Sequence, residues 1–95
     1  MPTADQTIRV YQELATLCDR QGQSQMHDRF LVLAADAAWG SGRADLAEQI
    51  RTLLLQHNPH HLLRPYASFA EAVNSPDVHS YVSALRRSHP AAPRR

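Results

Sequence analysis

Six histidines stand in this 95-residue chain, and His57, His60 and His61 fall together in the stretch HNPHH. Neutral imidazole is the commonest metal ligand, and three or four such donors converging at about 2 Å would hold a zinc-like ion. His57, His60 and His61 are therefore the candidate metal ligands, with His27, His79 or His89 able to complete a set. The same stretch also reads as a boundary between helices. Asn58 precedes Pro59 and is pushed away from helical dihedrals, so a helix should stop near His57. Asn58 would then cap, and Pro59 would open, a short turn that Pro65 ends. Adjacent residues of a helical turn point about 100° apart, so spacing alone does not make the three imidazoles converge.

Other reactive groups are poorly placed for catalysis. Cys18 lies on the apolar face of the first amphipathic segment, where burial raises a thiol pKa and suppresses the thiolate. Asp77 with His79, and His27 with Asp28, are neighbours in sequence, but a catalytic pair also needs an oriented nucleophile and an oxyanion-stabilising loop. Gly40-Ser41-Gly42 is too short to cradle a phosphate. The expectation is a non-enzyme with no cofactor.

Binding chemistry points instead to aromatic anchors. Trp39, beside a glycine turn, and the run from Tyr66 to Phe69 carry the residue types that dominate interface energies. Closure of a small core is the competing use of the same rings. Arg86 and Arg87, with Arg94 and Arg95 behind them, concentrate positive charge at the C-terminus. An acidic partner could use it, although arginines in a last helical turn also complement the helix dipole.

Composition narrows the class. All ten basic residues are arginine, the formal charge is +1, and 43% of residues are hydrophobic. That is a globular balance which does not favour nucleic acid as a partner. A lysine-free chain is the product of arginine-favouring codon usage, or of avoidance of lysine modification in an adaptor working beside a modifying machine. The single cysteine forms no internal disulfide, and no signal-like start or run of ~18 apolar residues occurs, so a cytoplasmic protein without a membrane span is expected.

These residues must be positioned by helices. Thr3 and Gln6 have capping-box spacing ahead of Ile8, Tyr11, Leu14, Ala15, Leu17 and Cys18, and Gly22 suits a left-handed C-terminal cap. Ser24 is placed to cap a second helix burying Met26, Phe30, Leu31, Leu33, Ala34, Ala37 and Ala38. A third, from about Arg43 to His57, buries Leu46, Ala47, Ile50, Leu53 and Leu54. Two shorter helices follow, opened by Ser68 with Glu71 and by Ser75-Pro76, the last with a stripe of Val78, Tyr81, Val82 and Leu85.

Residues Asp28 to His61 resemble one degenerate copy of the tetratricopeptide repeat, a 34-residue helix-turn-helix unit. Ala35 and Ala47 match its small positions, Gly42 its turn and Pro59 its terminal proline, while Arg51 stands where the second helix often carries an aromatic. The resemblance implies an antiparallel hairpin and a protein-binding role. The expected fold is therefore all-α: a small helical bundle with a repeat-like antiparallel hairpin at 25–57, an N-terminal helix against it and a C-terminal helical cap. Residues 1–87 form one domain and 88–95 a flexible basic tail. The expected function is a non-enzymatic protein–protein interaction module, an adaptor or small subunit that binds another protein or its own copy through Trp39, Tyr66, Phe69, Arg86 and Arg87. The alternative is a histidine-based metal-binding or metal-sensing protein.

Overall fold

The structure, a computed structural model, describes residues 3–89. Its elements are α1 (Ala4–Arg20), α2 (Ser24–Gly40), α3 (Ala44–His57), α4 (Phe69–Val73) and α5 (Pro76–Ser88), and among the described residues there is no strand. The molecule is the small all-α bundle that helical periodicity implies. Helix α2 is its axis, packing on α1, α3 and α5, while α4 bridges α3 and α5. Contact on several sides explains why every residue from Phe30 to Ala35 is buried, a run no one-sided amphipathic helix would show. Ala34, Ala35, Ala38 and Ala47 are all inaccessible, and with no side chain beyond Cβ they leave room for close helix approach.

Local chemistry sets the helix ends. The Thr3 hydroxyl accepts from the Gln6 amide, and the Gln6 side chain returns the bond to the Thr3 N–H, completing the capping box. Helices α1 and α2 end in the same motif twenty residues apart: Gln23 N–H donates to the Cys18 carbonyl and Arg43 N–H to that of Ala38, both at 2.8 Å. That wrap requires positive φ at the intervening residue, which Gly22 (φ 74°) and Gly42 (φ 82°) supply without a Cβ penalty. Three-residue connections of this kind force each helix to fold back on the last.

Several expectations need correction. Ser24 is the first residue of α2 rather than its cap; the cap position is Gln23, whose side chain makes no capping bond. Leu17 and Leu53 were assigned to core stripes but are 47% and 54% exposed. Both lie at the margin of their stripes, where α2 is too narrow a partner to cover them. Residues 59–66 form consecutive turns rather than the single turn expected, with Leu63 fully buried as their anchor. Ser75 precedes Pro76 as expected, but its hydroxyl is engaged by the Tyr66 hydroxyl at 2.8 Å and caps nothing.

The C-terminal boundary also moves. Ser88 ends α5, and His89 is docked: its carbonyl accepts from the Tyr11 hydroxyl at 2.6 Å, and its ring meets Phe30 edge-on at 5.3 Å. The remainder of the expected tail, 90–95, lies outside the described residues. Among the described residues no helix is long and apolar enough to cross a membrane.

Candidate functional site

Asp28 and His61 are the buried polar residues of the core. Asp28 sits on α2 one turn before Leu31 and Val32 and two turns before Ala35, so the packing that buries that stripe buries its carboxylate too. A carboxylate taken out of water must be hydrogen-bonded or paired. Here three side chains serve it. The Nδ1 atoms of His27 and His57 each lie 3.0 Å from Oδ1, and the Asn58 amide donates to Oδ2 at 3.0 Å.

The partners come from different elements for reasons readable in the chain. His27 is the neighbour of Asp28 on α2. His57 is the last residue of α3, which runs back along α2 and so brings its C-terminus to the start of α2. Asn58 leaves the helix at φ −136°, the extended conformation imposed ahead of Pro59. Its Oδ1 accepts from the His60 N–H at 3.2 Å, which fixes the amide orientation and aims Nδ2 at Asp28. Asp19, near the end of α1, completes the group with Oδ1 3.4 Å from Nε2 of His57. The imidazoles of His27 and His57 stand with centroids 4.0 Å apart.

The three expected metal ligands are thus separated. His57 joins His27 and Asp28, whose donor atoms lie within 4.8 Å of one another. His60 is exposed and contributes its backbone N–H. The buried His61 uses Nδ1 to accept from the Leu63 N–H at 3.2 Å and sets its ring 6.0 Å from that of Tyr81. Burial lowers the His61 pKa from 6.5, against a smaller opposing pull from Asp28. Burial likewise raises that of Tyr81, with Arg29 opposing and Asp28 reinforcing the shift. Asp28 is the candidate donor that sequence reasoning missed. The available signal was a carboxylate in register with an apolar stripe, where acidic side chains are rare unless paired.

The aromatic and basic candidates divide as well. Phe69 is fully buried, so it closes the core and leaves the set of surface residues. Tyr66 is half-buried, tied through its hydroxyl to Ser75 and through its carbonyl to Arg51. Trp39, at the end of α2, is 37% exposed and inclines its ring over Phe69 at 6.0 Å. Arg86 makes a two-pronged pair with Asp36, Nε to Oδ2 at 2.8 Å and a terminal nitrogen to Oδ1 at 2.6 Å. That bond is the main cause of the raised Arg86 pKa. Arg87 is exposed. Cys18 is buried in the core as a free thiol, and Asp77 and His79 are both exposed on α5.

Arg51 has a structural role. Its guanidinium pairs with Glu48 at 3.1 Å and donates to the Tyr66 carbonyl at 2.5 Å, while the other Glu48 oxygen accepts from the Phe69 N–H at the start of α4. No protein-family model, curated protein or solved structure matches the chain.

Proposed function

We propose that the protein is a non-enzymatic interaction module, an adaptor or small subunit whose helical surface binds another protein or a second copy of itself. The observation that carries this reading is the disposition of Trp39. Its indole stands tilted against the Phe69 ring of the core, centroids 6.0 Å apart, and 37% of the residue is left open to solvent. A large side chain already held by the core loses little conformational freedom when a partner covers it, which is what makes tryptophan an effective interface anchor. The repeat-like hairpin of α2 and α3 supports the same reading, and the end of that hairpin is where Trp39 sits.

Trp39 is the single tryptophan of the chain, so its fluorescence reports the test directly. A concentration series by light scattering measures self-association, and capture from the native lysate by wild type and by Trp39→Ala measures partner binding. Association that shifts the emission to the blue and is lost in Trp39→Ala supports the reading. A strict monomer with no Trp39-dependent partner overturns it.

A further inference from the structure

We infer that His27, Asp28 and His57 form a binding site for one divalent transition-metal ion of the zinc type, with Asn58 and Asp19 as its outer partners. This goes beyond the interaction reading and is independent of it, since the site joins the end of α3 to the start of α2 while Trp39 lies at the other end of α2.

Donor spacing is the first argument. A tetrahedral ion about 2.0–2.1 Å from each ligand sets neighbouring donors about 3.3 Å apart. The two imidazole nitrogens already stand 3.0 Å from Asp28 Oδ1, and one donor from each residue lies within 4.8 Å of the other two. An ion would enter by opening two contacts by a few tenths of an ångström and drawing the imidazoles toward each other.

The setting of His57 is the second. Its ring stands between two carboxylates, with Nδ1 toward Asp28 at 3.0 Å and Nε2 toward Asp19 at 3.4 Å, and the His27 ring lies with its centroid 4.0 Å away. With a metal on Nδ1, both imidazoles are ligands of one ion and the Nε2–H of His57 faces Asp19. This is the carboxylate–histidine–metal relay by which outer partners fix a ligand's tautomer and raise its basicity.

The outer shell is the third. Asn58 occupies Oδ2 of Asp28 and is itself oriented by the His60 N–H, so the carboxylate keeps Oδ1 turned to the imidazoles. Asp28 and His27 are nearly covered, while the His57 side chain is 31% exposed, so a fourth ligand, water, enters from the His57 side. Two imidazoles and one carboxylate suit zinc, cobalt, nickel or copper; calcium and magnesium require oxygen donors.

The test titrates the full chain with Zn²⁺ against a competing chelator and, separately, with Co²⁺ read by visible absorption. The expected result is one ion per chain, with affinity at least 100-fold weaker in His27→Gln and His57→Gln and unchanged in His60→Gln. Asp19→Asn should weaken binding about 10–100-fold. Asp19 is exposed, so that variant keeps the measurement informative if the buried ones do not fold. Side-chain ¹⁵N shifts of the wild type should show ligation through Nδ1 at His27 and His57. No saturable binding at 100 µM metal, equal loss in His57→Gln and His60→Gln, or ligation at other histidines overturns the inference.

Discussion

Two polar clasps pin the irregular segment 58–68 at opposite ends, and they are made of different chemistry. At its C-terminal end Glu48 and Arg51 of α3 grip the Phe69 N–H and the Tyr66 carbonyl. At its N-terminal end Asp28 of α2 grips Asn58 and His57. Each satisfies a carboxylate with partners from a neighbouring element, the Asp28 side chain nearly covered and that of Glu48 41% exposed. The first uses a guanidinium, which stays charged at all working pH and cannot ligate a metal. The second uses imidazoles, the side chains that most often ligate metal ions. The contrast teaches that a carboxylate acquires potential function from the side chains that satisfy it: one clasp is permanent, the other conditional.

The comparison is tested most severely at Phe69, whose ring is fully buried and whose N–H the permanent clasp holds. Phe69→Ala should cost about 3–5 kcal/mol by transfer and cavity terms together, measured by urea unfolding. A cost below about 1 kcal/mol would mean that the α4 end is loosely packed and that the clasp secures nothing. Arg51→Met is the next largest. It preserves the apolar stem but strands the Tyr66 carbonyl and leaves the partly exposed Glu48 carboxylate without its guanidinium, at a cost of about 1–3 kcal/mol. Saturating zinc at 100 times its Kd should restore about 2.7 kcal/mol to both wild type and Arg51→Met, and nothing to His57→Gln. If zinc fails to stabilise Arg51→Met, the clasps are not the separate devices their chemistry implies.

The fold was legible in the chain to a considerable degree, for identifiable reasons. Helix positions follow from local signals: Thr3 with Gln6, Gly22, Gly42, Asn58-Pro59 and Ser75-Pro76 each act within a few residues of themselves. What depends on who packs against whom was not legible. Leu17 and Leu53 have the right period for the core, yet both are left about half exposed. Phe69 and Trp39 look alike as aromatic anchors, and only the docking of α4 sends one inside and leaves the other at the surface. Of the histidine-rich stretch, His57 alone joins the Asp28 cluster, while His60 and His61 lie apart from it. Period and spacing describe one element at a time, whereas His57 finds its partners on α2, 29 and 30 residues earlier by numbering, through the turn at Gly42.

His61 provides a smaller and pH-dependent test of the conditional end. Its neutral ring accepts the Leu63 N–H, and burial depresses its pKa below 6.5. A base with a depressed folded pKa binds fewer protons folded than unfolded, so its contribution is fully present above pH 6.5 and is lost as pH falls from there through the folded value. His61→Asn keeps a short acceptor near the Leu63 N–H but cannot titrate. Its stability profile should therefore be flatter than that of wild type between pH 6.5 and 5, while the two match above 7. Equal acid limbs would mean that His61 does not set that slope.

The smallest expected effect sets the scale for both clasps. Arg86 and Asp36 join α5 to α2 with geometry as good as that of Arg51 and Glu48, but the Arg86 side chain is 55% exposed. Water and salt screen such a pair, so Arg86→Ala should cost only about 0.2–1 kcal/mol in urea unfolding, and less at 1 M salt. The Arg51→Met cost should be nearly independent of salt, because its guanidinium is close to fully covered. Should the two arginine variants lose equal stability with equal salt dependence, burial would not be what separates a structural clasp from a surface ion pair, and the Asp28 cluster would lose its claim to differ from either.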